Sequence, residues 1–212
     1  MPSRRQIQDY WKENWQSRWW SQSGLLAYLK LFDAPENMEM LTECLLSEKN
    51  SGSDARPEAL LRLHSEIFPR KNKKAGQAFW RWVACEWEGF DAIPHELYED
   101  CFLFWAKYWS PNCMNPEDLD AFKSLPNEFT LYRGADEFAP LGLSWTLDRR
   151  VAESFSRGHR GSLNQNPVVL EANVTRNAVA FLQTSRQEAE VVLFSLPCDK
   201  INYSRARLAS AT

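Results

Sequence analysis

Phe129-Thr130-Leu131-Tyr132-Arg133-Gly134 opens a stretch, residues 129–196, whose reading decides the fold. Ahead of it, apolar residues recur at helical intervals. From Phe129 onward they come in short β-branched and aromatic runs parted by polar breaks. Strands are predicted over 129–132, 141–147, 168–174, 178–182 and 191–196, with a weaker one over 201–203. One helix interrupts them: Thr146 or Asp148 can cap it, Val151, Ala152 and Phe155 form its buried face, and it ends around 156–158. The expected class is α+β, with a helical region over 1–125 and a β-rich core over 126–212.

Working back toward the start, Pro94 to Trp109 reads as a helix with Leu97, Cys101, Phe104, Trp105 and Tyr108 on one side, and Asn115-Pro116-Glu117-Asp118 opens a short helix ending near Leu125. Residues 75–87 carry Phe79, Trp80, Trp82 and Trp87, and Trp11, Trp15 and Trp19 recur every four residues. Nine of the ten tryptophans precede residue 110. Helix packing is the commoner use of such a set; docking of a partner is the sharper one. Asn50-Ser51-Gly52-Ser53-Asp54 is the clearest linker, and Pro69-Arg70-Lys71-Asn72-Lys73-Lys74 the one basic run, most simply a solvated connection.

With a net charge of -3 the chain has no overall basic field aimed at nucleic acid. No apolar run approaches the length of a membrane span, and no apolar core follows the basic start Met1-Pro2-Ser3-Arg4-Arg5, so the expected location is cytoplasmic, of the producing or a target cell, away from membranes. Five cysteines without a Cys-x-x-Cys pair, and three scattered histidines, His64, His95 and His159, have no ligand-like spacing, so no metal is predicted.

Three pieces place polar groups in or beside the strands. Arg133 follows a strand and precedes Gly134, read here as a tight turn; its guanidinium can grip a phosphate with two parallel hydrogen bonds. Ser144 and Thr146, two apart, share one strand face, with Trp145 on the other. Glu188 and Glu190, also two apart, are read as sharing a face where a polar loop enters Val191-Val192-Leu193. Singly, each has a bland explanation as a solvated charge, a half-exposed strand or a loop end.

Together, Arg, then Ser-x-Thr, then Glu-x-Glu, each on its own strand, resembles the R-S-E class of mono-ADP-ribosyltransferases, which includes bacterial ADP-ribosyltransferase toxins. The likeness covers about residues 126–212. It is strongest in Leu131-Tyr132-Arg133-Gly134, in residues 142–155 and in residues 187–193. One departure is Ser144-Trp145-Thr146 where the family has Ser-Thr-Ser.

The resemblance implies a split β-sandwich of the ADP-ribosyltransferase type, against which the helical part packs. It implies NAD as substrate and no metal. Arg133, Ser144, Glu188 and Glu190 would be catalytic. Arg133, Gly134, Ser144, Trp145, Thr146, Phe155 and Glu190 would contact NAD. Glu190 would stabilise the oxocarbenium-like ribose and hold a hydroxyl, Glu188 would orient the nucleophile or take its proton, and Ser144 would hold Glu190 in register. Arg149 and Arg150 are further cations near the expected pyrophosphate, though helix-surface charges are the simpler account. The implied role is a bacterial or phage toxin or effector that modifies a macromolecular acceptor, protein arginine ahead of nucleic acid, with an antitoxin or chaperone as a further partner. The alternatives are an NAD glycohydrolase, and a non-catalytic binding module using the Trp-rich helices.

Overall fold

A computed structural model describes His64 and residues 72–90, 93, 95–159, 162–185, 188–197 and 201–205. The stripe Trp11, Trp15, Trp19, the linker 50–54, residues 69–71 of the basic run, Cys44, Cys198, Arg186 and Gln187 lie outside the described residues. The chain divides into two units, one of Met1–Ile93 with Tyr108–Cys113, the other of Pro94–Lys107 with Met114–Thr212. The β-rich unit thus draws in helices that precede residue 126.

In the first unit, α1 (Lys73–Glu86) runs into a single 3-10 turn, Trp87–Gly89. Phe79, Trp80, Trp82, Val83 and Trp87 are buried. Phe79 meets Trp80, and Trp82 meets Phe90, in edge-on pairs at 5.3 and 5.9 Å, the geometry that sets a positive ring edge against a negative face. In these residues the tryptophans are used for packing.

The second unit begins with α2 (His95–Trp105). Its buried side is Tyr98, Cys101, Phe102 and Trp105, one helical stripe, and Phe102 meets Phe181 at 6.3 Å. The predicted face was rotated from this: Leu97 is 51% exposed, and the α-helix stops before Tyr108. α3 (Pro116–Ser124) starts where the sequence places it. The Asn115 side chain accepts from the Asp118 amide at 2.9 Å, with Pro116 in the first turn. The last carbonyls are met by Arg176, whose Nη1 donates to Lys123 O and Leu125 O.

Six antiparallel strands form one sheet in the order β6-β7-β2-β1-β5-β8. They are β1 (Glu128–Asp136), β2 (Ser144–Thr146), β5 (Pro167–Thr175), β6 (Val179–Gln183), β7 (Glu190–Leu193) and β8 (Ile201–Arg205). A two-stranded hairpin, β3 (Gly158–His159) with β4 (Ser162–Leu163), was not read from the sequence. The α+β class is therefore what the chain adopts.

The pairing is uneven. β1 and β5 are in register from Glu128↔Thr175 through Asp136↔Pro167, and β2 and β7 pair at Ser144↔Val192, Trp145↔Val191 and Thr146↔Glu190. β1 and β2 share a single pair, Tyr132↔Thr146. The predicted strand 141–147 is thereby cut to three residues, and the predicted strand 191–196 ends at Leu193.

α4 (Arg149–Ser156) crosses β1. Asp148 caps it, accepting from the Arg150 amide at 2.7 Å, and Asn164 donates to its last carbonyls, Phe155 O and Ser156 O. Gly134 lies inside β1, not in a turn as expected. A Cβ there would stand 1.9 Å from Ala152 O and 2.3 Å from Ser156 N, so the missing side chain lets helix backbone touch strand backbone. No helix among the described residues is long and apolar enough to cross a membrane.

Candidate functional site

β2 sits between β1 and β7; Arg133, Gly134, Ser144, Trp145, Thr146 and Glu190 lie on these three strands, Glu188 lies just before β7, and Phe155 lies on α4. Ser144 is paired with Val192, which makes Glu190 its diagonal neighbour. The Ser144 hydroxyl crosses that diagonal and donates to Glu190 Oε1. Both residues are half-buried. A carboxylate held by a fixed hydroxyl has its orientation set before any ligand arrives.

Arg133 leaves β1 on the face opposite Gly134, hence away from α4. Alternation of the β2 carbonyls explains where it goes. Leu143 O accepts from the Leu193 amide on the β7 side, so Ser144 O turns toward β1, where the strands have already parted. Arg133 Nη1 supplies the missing donor to Ser144 O at 2.7 Å, and Nε donates to Pro140 O at 3.1 Å. The guanidinium lies flat on Gly142; a Cβ there would be 2.3 Å from Arg133 Cζ. Burial lowers the Arg133 pKa to about 10, with the charge of Glu190 acting the other way. The coupling puts Arg133 and Glu190 within electrostatic reach, and Arg133 remains a cation at neutral pH. Its first duty is to hold the β2 end in place.

His95, at the start of α2, was passed over in the sequence because it had no ligand-like spacing. Its Nδ1 accepts from the Leu143 amide at 3.1 Å, and its Nε2 lies 3.5 Å from Arg133 Nη2. Burial, then the Arg133 charge, lowers its pKa to about 3, so it is a neutral imidazole.

Thr146 is buried, and its hydroxyl both accepts from the Asp148 amide at 3.0 Å and donates to the carbonyl of Glu188 at 2.5 Å. The Leu147 amide donates to Ala189 O. Glu188 and Glu190 do not form the two-apart strand pair expected. The strand begins at Glu190, Glu188 sits in the turn before it, and Ala189 between them has φ 43, in the left-handed region. The other end of this loop is fixed by Asp118, 2% exposed, whose carboxylate accepts from the Thr184 amide at 2.8 Å and the Thr184 hydroxyl at 2.6 Å. Asp118 was read from the sequence only as a first-turn acid of α3.

The remaining candidates are placed as follows. Trp145 is buried and its indole donates to Gly142 O at 2.8 Å, bracing the bend that presents Gly142 to the guanidinium. Gly134 meets α4, and Phe155 is half-buried on that helix. Arg149 pairs with Glu153 and Glu171 and lies over the Tyr132 ring at 5.8 Å, while Arg150 is exposed. Burial pushes the Cys101 and Cys113 thiols up to about 12, so neither is a ready nucleophile. Among the described residues there is no cluster of three or more His, Cys, Asp or Glu suited to a metal ion.

The arrangement unites a hydroxyl-held carboxylate, a guanidinium and a neutral imidazole around the place where β1 and β2 separate. Comparison of the chain with protein families, with curated proteins and with solved structures finds no match.

Proposed function

We propose that the chain is an NAD-dependent mono-ADP-ribosyltransferase, a bacterial or phage toxin or effector, with the two halves of its sheet, β6-β7-β2 and β1-β5-β8, standing for the two layers of the split β-sandwich of that enzyme type. The observation that carries the reading is the hydrogen bond from Ser144 to Glu190 beside Arg133. Residues far apart in sequence, selected for this chemistry, come together on adjacent strands.

Cleavage breaks the bond between nicotinamide and C1′ of its ribose, and nicotinamide leaves as a neutral molecule that needs no strong acid. Positive charge spreads over C1′ and the ring oxygen. The Glu190 carboxylate stabilises it, held at a fixed angle by Ser144 so that little reorganisation is required. The acceptor forms the new bond to C1′, and its proton passes to Glu188. A protein arginine is the favoured acceptor and nucleic acid the next. Arg133 adds positive charge on the phosphate side while keeping β2 in place.

The test is incubation with labelled NAD and a cell lysate, followed by separate protease and nuclease treatment. Label removed by protease marks a protein acceptor, and label removed by nuclease a nucleic acid. Label found only in free ADP-ribose would mean hydrolysis instead of transfer. Glu190→Gln is expected to abolish nicotinamide release. Full release by that variant would remove the mechanism.

A further inference from the structure

His95 and Arg133 present a contradiction in hydrogen bonding that a ligand resolves. The Leu143 amide points its hydrogen at His95 Nδ1, so Nδ1 must carry the lone pair. A neutral imidazole then carries its proton on Nε2. Nε2 faces Arg133 Nη2 at 3.5 Å, and every nitrogen of a guanidinium is a donor. Two N–H donors are therefore set side by side with no acceptor between them. The alternative tautomer would let Nε2 accept from Arg133, but it would turn Nδ1–H against the Leu143 amide and leave that amide without a partner.

The other donors of Arg133 limit how the conflict can be relieved. Nε is held by Pro140 O and Nη1 by Ser144 O, and the guanidinium plane is pressed against Gly142. The Nη2 edge cannot swing away without breaking those bonds. Both residues are half-buried.

We propose that His95 Nε2–H and Arg133 Nη2–H form a two-donor clasp for one phosphoryl oxygen of the dinucleotide. The inference rests on the NAD reading above for the identity of the ligand, and on the donor geometry alone for the anion. A phosphoryl oxygen has the lone pairs to accept from both donors at once, and it supplies the negative charge that the guanidinium on this side favours. The clasp assigns His95 a binding role and gives the site a polarity: phosphate toward α2, nicotinamide-ribose toward Ser144 and Glu190. A neutral imidazole donor also holds its ligand without depending on a proton gained near neutral pH.

Two substitutions separate the two nitrogens of His95. His95→Asn keeps an acceptor at the Nδ1 position for Leu143 but removes the Nε2 donor. His95→Gln keeps a donor near the Nε2 position. Full-length protein is titrated calorimetrically with inorganic pyrophosphate, ADP-ribose and nicotinamide riboside, with thermal unfolding as the check on folding. The expected result is that His95→Asn weakens pyrophosphate and ADP-ribose about tenfold or more, the size of one lost hydrogen bond to a charged group. Nicotinamide riboside, which has no phosphate, should be unaffected, and His95→Gln should recover part of the loss.

If wild-type protein fails to bind pyrophosphate, or if His95→Asn binds it as wild type does, the clasp is wrong, whatever the outcome with NAD. Pyrophosphate binding that depends on His95, together with no cleavage of NAD, would keep the clasp and sink the NAD reading. Should His95→Asn not fold, ¹⁵N spectra of the wild-type imidazole decide: Nε2 must carry the proton and its signal must shift on adding pyrophosphate. A proton on Nδ1, or an unmoved Nε2, overturns the proposal.

Discussion

Gly142→Ala is the perturbation that most directly tests how the site is held together. The new methyl group would stand 2.3 Å from Arg133 Cζ, 2.4 Å from Nη2 and 2.7 Å from Nη1, all well inside contact distance. The atoms it meets belong to the end of a side chain, so the guanidinium, not the backbone, is what must move. Moving it breaks the bonds to Ser144 O and Pro140 O. A hydrogen bond from a charged donor contributes about 1.5–3 kcal/mol, so the loss of one or both gives a destabilisation of about 1.5–6 kcal/mol. The same loss must then be absent once the guanidinium is gone. In an Arg133→Ala background, Gly142→Ala should cost under about 1 kcal/mol, because the methyl group enters vacated space. The assay is urea unfolding of the wild type, both single variants and the double variant. The expected interaction energy is about 2 kcal/mol or more, against a tolerance near 0.5 kcal/mol for independent sites. Additive costs would refute the reasoning, since they would mean that Gly142 is needed for its own backbone and not for the arginine.

Other expectations follow from the same geometry. Gly134→Ala places a methyl group against backbone atoms of α4, which cannot rotate aside, and should cost about 3 kcal/mol in urea unfolding whether or not Arg133 is present. Asp118→Ala strands the Thr184 amide and hydroxyl and should cost about 3 kcal/mol, with a larger fall in transfer than in NAD hydrolysis if the loop before Glu188 meets the acceptor. Glu188→Gln should likewise harm transfer more than hydrolysis in the labelled-NAD assay; equal losses would mean that its assigned role is wrong. His95 gives a pH signature. Its folded pKa, about 3, lies below the ordinary 6.5, so between those values the unfolded chain holds a proton that the folded chain does not. Stability from this residue is complete above about pH 6.5 and falls as the pH drops toward 3, by about 1.4 kcal/mol per pH unit. His95→Gln should flatten the acid limb of a stability–pH profile by that slope, and an unchanged limb would show that the imidazole is not held neutral.

The sequence carried the strand runs of β1, β5 and β6 and the capped start of α3 because those depend on local periodicity and on a side chain meeting a nearby amide. It carried the pairing of Ser144 with Glu190 only through the resemblance, since no local rule joins residues 46 apart. Gly134 was misread because a tight turn and a close helix–strand approach make the same demand on sequence, a missing Cβ. The strand 141–147 was overextended because the Leu143 amide is diverted to His95, a partner 48 residues away. His95 itself was illegible for the same reason: nothing around it sets it apart, and its importance comes from where α2 begins. The alignment of Glu188 with Glu190 failed at Ala189, a non-glycine residue in left-handed backbone that periodicity cannot foresee.

The lone backbone pair between β1 and β2 makes the sheet two rafts laid edge to edge, β6-β7-β2 and β1-β5-β8, with Arg133 as the bolt across the joint. Such a joint is the natural place for the sheet to twist or gape, and amide exchange should begin there before it reaches the long β1–β5 ladder. A molecule gripping Arg133 on one raft and Glu190 on the other would act as a second bolt, so occupancy would be felt as stiffening along the whole seam.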